Sequence, residues 1–140
     1  MGTRANIIII DSFEDKVIFY RHSDGYPSRT LFPLITFMKW IRDGKLRDNT
    51  SQSAGWLVIL GYNEYSAGFD IDNNPSDWKV GAFEPTSQLS ADTEFEYTLD
   101  LKNRTITIDN LDGEKLVITN FDNYQDKLKL YNVIHNNSLY

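Results

Sequence analysis

The run Ile7-Ile8-Ile9-Ile10 is the feature that most limits the fold. Four consecutive β-branched residues crowd a helix and suit a pleated strand. A strand that is apolar at every position, rather than at every second one, calls for cover on both faces. Four residues also fall far short of the roughly 20 apolar residues that a membrane helix needs. The strand extends from Arg4 to Ile10. A polar turn, Asp11 to Asp15, follows it, and Lys16 to Arg21 returns as a second strand. A loop this short predicts a hairpin.

His22 to Ser28 interrupts the pattern with Gly25 and Pro27. Ser28 offers an N-cap for a helix from about Arg29 to Arg42, with Pro33 near its first turn and Gly44 as its stop. Leu31, Leu34, Ile35, Met38 and Ile41 recur on one helical face. Ser51 to Tyr65 fits a buried strand around Trp56 to Leu60. It fits better as an amphipathic helix capped by Thr50 or Ser51, with Ala54, Leu57, Val58, Gly61 and Tyr62 on one face. Trp40 and Trp56 are expected in the core. Ser66 to Asp77 reads as loop.

The last third alternates. Trp78–Glu84, Glu94–Leu101, Arg104–Asn110 and Lys115–Asn120 read as four strands, with turns at Lys102-Asn103 and Leu111 to Glu114. Phe95, Tyr97, Leu99 and Leu101 share an apolar face. Ile106 and Ile108 face in, while Thr105, Thr107 and Asp109 face solvent. A short helix is expected over Asn123–Tyr131 and a tail over Asn132–Tyr140. The expected architecture is a single α+β domain over residues 1–131. An antiparallel sheet, made of the N-terminal hairpin and a C-terminal four-strand meander, packs against two helices.

Several function classes drop out. The chain has no cysteine, which removes disulfides, thiolate zinc sites and a cysteine nucleophile. Its two histidines, His22 and His135, are too far apart for a zinc motif, and His135 is expected to be solvated. Asp70 to Asn74 begins like a calcium loop. Pro75 then stands where the turn glycine belongs and Gly81 where the bidentate glutamate belongs, so it reads as an acidic surface loop. No phosphate-binding glycine loop or nucleophile elbow is present. No leader peptide is expected, since Met1 to Asn6 lead into only four isoleucines before Asp11. A cytoplasmic protein without cofactor, metal or membrane contact is expected. Net charge is −6, unevenly spread. Residues 1–48 carry eight basic against six acidic side chains, and the remainder six against fourteen. Direct nucleic-acid binding is therefore not expected, and an anion would go to the N-terminal third.

Tyr20-Arg21-His22-Ser23-Asp24-Gly25-Tyr26-Pro27 concentrates the reactive chemistry, at a strand-to-helix junction of the kind that often carries sites. His22 and Asp24 lie two apart, so in an extended segment the carboxylate can orient the imidazole. The competing account is a plain turn in which Asp24 only caps backbone N–H groups. Arg4, Arg21 and Arg29 can converge on a phosphate or carboxylate if the hairpin brings them together, or stand as separate solvated charges.

Thr3-Arg4-Ala5-Asn6-Ile7, the Tyr20 to Pro27 string and Gln52-Ser53-Ala54-Gly55-Trp56-Leu57 together resemble a group of small, mostly uncharacterised phage and prophage proteins. Those proteins share a Thr-Arg strand and a Tyr-x-His-x-Asp-Gly-Tyr-Pro turn. The likeness covers roughly the first 65 residues. It implies an accessory role against host defence, by sequestering a nucleotide signal or capping a defence enzyme. It brings no activity to carry over.

Three functions are expected in order. The first is a pocket of Thr3, Arg4, Tyr20, Arg21, His22, Asp24 and Tyr26 for a small anionic, nucleotide-like ligand. Arg4 and Arg21 would pair with phosphate and Tyr26 would stack. The second is an acidic inhibitor that covers a basic groove of a host defence nuclease or nucleic-acid-binding complex. The third is a metal-independent phosphodiesterase with His22 as acid/base, Asp24 as its orienter and Arg4 or Arg21 stabilising charge. No residue is assigned a catalytic role, and a homo-oligomer is a further expected partner.

Overall fold

A computed structural model describes residues 3–65, 82–110 and 112–124, together with Asn132, Ile134 and His135. Strand β1 (Ala5–Ile10) turns back into β2 (Lys16–Arg21), with Ala5 opposite Arg21 and Ile10 opposite Lys16, as the short loop predicts. Helices α1 (Pro27–Arg42) and α2 (Thr50–Tyr65) follow, and both lie on one face of the sheet. Then come β3 (Glu84–Thr86), β4 (Phe95–Asp100), β5 (Thr105–Asn110), β6 (Lys115–Ile118) and a 3-10 turn, Phe121–Tyr124.

The fold is α+β, but the sheet is mixed rather than antiparallel. Its order is β3-β2-β1-β4-β5-β6. β1 and β4 run parallel, with Ile7 beside Tyr97 and Ile9 beside Leu99. The meander has three strands, β4 to β6. The segment at Glu84 does not join it but pairs antiparallel with β2 at the far edge. The physical reason is cover for β1. The isoleucine strand can be central only if both its edges are paired, and β4 supplies the second edge.

Alternation sorts the residues as the sequence suggests. Ile7, Ile9, Phe19, Tyr97, Leu99, Ile106 and Ile108 are buried against the helices with Leu31, Leu34, Phe37, Met38 and Ile41. Ile8 and Ile10 are only half-buried, so the second face of β1 lacks full cover. Ile134, within the expected tail, is buried in this core, and His135 is half-buried and engaged.

Helix ends differ from expectation. α1 starts at Pro27, with Tyr26 at the N-cap and no side-chain cap; Ser28 is already inside. Pro33 consequently sits in the second turn, where its ring denies the helix one hydrogen bond. Gly44, at φ 73°, ends the helix as expected, its N–H donating to the Ile41 carbonyl at 3.2 Å.

α2 is capped by Asn49, whose Oδ1 accepts from the Gln52 N–H at 3.0 Å. Thr50 is held instead by buried Asp11, which accepts from the Thr50 N–H at 3.1 Å and its hydroxyl at 3.2 Å. Asp11 also accepts from the N–H groups of Phe13 at 2.9 Å and Asp15 at 3.1 Å. One carboxylate thus closes the β1–β2 turn and anchors α2. Leu57 is buried and Gly61 lies against Phe83, but Val58, Tyr62 and Trp56 are exposed, so the buried stripe of α2 is narrower than expected. Trp40 is half-buried and meets Trp56 edge-on at 6.1 Å. Most of the expected strand Trp78–Glu84, the calcium-like stretch Asp70 to Asn74 and most of the helix Asn123–Tyr131 lie outside the described residues.

Candidate functional site

β2 divides the candidate residues between two sides of the sheet. Arg21 shares the inward face with Val17 and Phe19 and is fully buried, at 0% exposure. Its guanidinium lies 4.9 Å from the centroid of the Phe83 ring, and its Nε–H donates to the Asp24 carbonyl at 3.1 Å. Tyr20 and His22 are half-buried, and the Tyr20 hydroxyl and His22 Nδ1 lie 2.9 Å apart. Asp24 places Oδ2 3.8 Å from Nη2 of Arg29 on the first turn of α1.

The backbone between Asp24 and Pro27 is gripped from four directions. The Asp24 carbonyl accepts from Arg21 Nε and, at 2.9 Å, from the Thr30 hydroxyl. The Gly25 carbonyl accepts from the Tyr97 hydroxyl at 2.6 Å, and the Gly25 N–H donates to the Thr3 carbonyl at 2.8 Å. Asp24 adopts φ 58°, a conformation that aspartate tolerates better than most residues. Burial drives the Tyr97 hydroxyl far above the ordinary tyrosine range, against the opposing pull of the Thr30 hydrogen bond and the Arg21 charge. Tyr97 therefore remains a proton donor at Gly25. A Cβ on Gly25 would come within 2.8 Å of the Thr3 carbonyl oxygen and 2.9 Å of the Ala5 Cβ, so only glycine fits there without a shift.

Of the other candidates, Thr3 and Arg4 bond through their backbones, and only Thr3 reaches the clamp. Thr3 contributes its carbonyl. Arg4 donates its N–H to Glu94 Oε2 at 2.6 Å and accepts from the Glu94 N–H at 2.9 Å. Tyr26 is the N-cap of α1 and packs against the core. Tyr20 and His22 are brought together, as are Arg21 and the Asp24 backbone. Tyr20, the neighbour of Arg21 along β2, points to the opposite side of the sheet.

The open side of the sheet carries a different pattern. Across it runs the uncharged row Thr86-Ile18-Ile8-Thr98-Thr107-Val117. Beside it runs Glu84-Tyr20-Asn6-Glu96-Asp109-Lys115, three carboxylates in six positions. Asn6 anchors the 87–93 loop over this second row. Its Nδ2 donates to the Ser90 carbonyl at 2.8 Å, and its Oδ1 accepts from the Ser90 N–H at 3.0 Å. Two hollows flank that loop. One, of about 420 Å³, is lined by Glu94, Glu96, Asp109 and Asn110 among others. The second, of about 390 Å³, is lined by Tyr20, Glu84, Thr86 and Gln88 among others. Neither has a lysine or arginine among its described lining residues. Asp109 takes the outward position that strand alternation predicts. Glu84 and Glu96 were missed because their row forms only when β3 and β4 take up partners far away in the chain.

Comparison with protein-family models, with curated proteins and with solved structures found no match. Among the described residues no helix is long and apolar enough to cross a membrane.

Proposed function

We propose that this chain is a phage-type accessory protein that works by binding, and that it lays the open face of its sheet on a basic surface of a host defence protein. The surface it fits is one that holds nucleic acid. The host-defence context rests on the resemblance of the first 65 residues. The observation that carries the binding mode is the carboxylate row Glu84, Glu96 and Asp109 beside half-buried Ile8, Ile18 and Tyr20. An apolar centre with a charged border is the anatomy of a protein interface. Its sign steers the chain toward cationic grooves.

A small anionic ligand gains less support. It requires cations converging on a cavity, whereas Arg21 is enclosed in the core and the two hollows are lined by carboxylates and neutral groups. A hydrolase would need Asp24 behind His22, and the Asp24 carboxylate instead lies toward Arg29.

The test is affinity capture from a host lysate at about 50 and about 500 mM salt, which spans weak to strong screening. Wild type is compared with the double variant Glu96→Lys/Asp109→Lys. The expected partner is a basic, nucleic-acid-handling protein, released at high salt and absent from the variant. A partner retained by the variant refutes the interface. A nucleotide found with freshly purified protein by native mass spectrometry returns the function to a small ligand.

A further inference from the structure

β3 sets Glu84 directly opposite Tyr20 of β2. Residues paired in this way share a face of the sheet, with Cβ atoms about 5 Å apart. The two line the hollow of about 390 Å³, together with Pro85, Thr86, Gln88 and Ser90. That volume lies at the low end of the range for small-ligand sites, about 300–1,000 Å³, and suits one long side chain. The walls are held in place. Nδ1 of His22 lies 2.9 Å from the Tyr20 hydroxyl. The Thr86 hydroxyl donates to the Gln88 carbonyl at 3.3 Å, and Asn6 fixes Ser90 through both its amide atoms. Among the described residues the Glu84 carboxylate has no hydrogen bond or ion pair. A carboxylate and an aromatic ring side by side recognise a cation.

We infer that this hollow takes one arginine side chain of the partner, an inference that rests on the basic partner proposed above. A guanidinium is planar. It lies against the Tyr20 ring while its N–H fork pairs with the Glu84 carboxylate on the next strand. An ammonium is a compact point charge with no plane to stack, so it satisfies the two walls less well. The inner side of the same sheet already uses a guanidinium against a ring, with Arg21 4.9 Å from the Phe83 centroid. The chain's arginines are Arg4, Arg21, Arg29, Arg42, Arg47 and Arg104, all of them described, and none lines the hollow. A guanidinium in it therefore comes from another molecule. Glu84 and Glu96 stand three strands apart in the carboxylate row, roughly 14–15 Å, so this site is separable from the Glu96 and Asp109 end.

Proton–nitrogen correlation NMR on the full chain tests this, with the end-blocked tripeptides Gly-Arg-Gly and Gly-Lys-Gly as probes. The arginine peptide is expected to shift the amide signals of Tyr20 and of Glu84 to Ser90, with a dissociation constant on the order of 1–10 mM. The lysine peptide should bind several-fold more weakly. Glu84→Gln should weaken the arginine peptide about tenfold, through loss of a charge-assisted pair. Tyr20→Leu should weaken it about 2–5-fold, through loss of the ring. Signal dispersion in the same spectra shows that each variant is folded. Equal affinity for the two peptides, shifts centred elsewhere, or unchanged affinity in Glu84→Gln overturns the inference. Capture from host lysate separates it from the function above. A partner held equally by wild type and Glu84→Gln but lost from Glu96→Lys/Asp109→Lys overturns the arginine site and leaves the interface standing. Arginine peptide bound in the hollow, with no partner captured by wild type, supports the site and refutes the interface.

Discussion

Gly25→Ala isolates what the turn after β2 is for. The added methyl would lie 2.8 Å from the Thr3 carbonyl oxygen, 2.9 Å from the Ala5 Cβ and 3.0 Å from the Ala5 nitrogen. None of these atoms belongs to the far end of a flexible side chain, so the turn must lift away from β1. Overpacking of this kind costs roughly 1–3 kcal/mol. Lifting also stretches the 2.8 Å bond from the Gly25 N–H to Thr3 and strains the 2.6 Å bond from Tyr97. A weakened hydrogen bond adds about 1 kcal/mol. The expected loss is about 2–4 kcal/mol, and with a melting-temperature shift of about 3–4 °C per kcal/mol at this length the melting point should fall on the order of 10 °C. Urea unfolding followed by tryptophan fluorescence, with thermal melts by circular dichroism, measures both. Gly55→Ala is the matched control. It meets open space among the described residues and sits in a helix, so it should gain about 0.5–1 kcal/mol. A Gly25→Ala midpoint equal to wild type would refute the clamp and free the turn to serve as a ligand loop.

Tyr97→Phe removes the hydroxyl that donates to Gly25 and leaves that buried carbonyl unpaired, so urea unfolding should show a loss of about 1–3 kcal/mol. Arg21→Ala should lower stability by roughly 2–4 kcal/mol through lost packing and a lost donor to Asp24, and any loss of partner binding should follow the folded fraction measured by circular dichroism. Asp11 predicts an acid-sensitive step. Burial raises its pKa, but hydrogen bonds from Thr50, Phe13 and Asp15 outweigh burial and leave the carboxyl below its ordinary value. The folded pKa is depressed, so this contribution is complete above about pH 4 and is lost as pH falls through the folded value. Asp11→Asn should be less stable than wild type at neutral pH and should flatten the stability profile below about pH 4 in a urea series.

Much of the fold could be read locally. The isoleucine run, the hairpin, the inward phase of Phe95, Tyr97 and Leu99, the apolar face of α1 and its stop at Gly44 all follow from neighbours within a few residues. The fate of Arg21 was legible as well, since it keeps the parity of Val17 and Phe19. Its charge argued for a ligand, but the alternation argued for the core, and the geometry follows the alternation. The caps were harder. Asn49 and Asp11 act on α2 from outside its periodic stretch, and Asp11 reaches it across 39 positions.

By itself the sequence determined which side of each strand and of α1 is apolar, because side-chain period is a property of the backbone. It also determined where the chain turns and how charge divides between the two parts. Only the tertiary structure decided that β4 lies parallel to β1, that β3 crosses to the opposite edge, and that the Asp24–Pro27 turn is clamped by Thr3, Thr30 and Tyr97. Those outcomes depend on residues up to 90 positions apart competing for the same edges and the same buried space. No local window records which partner wins.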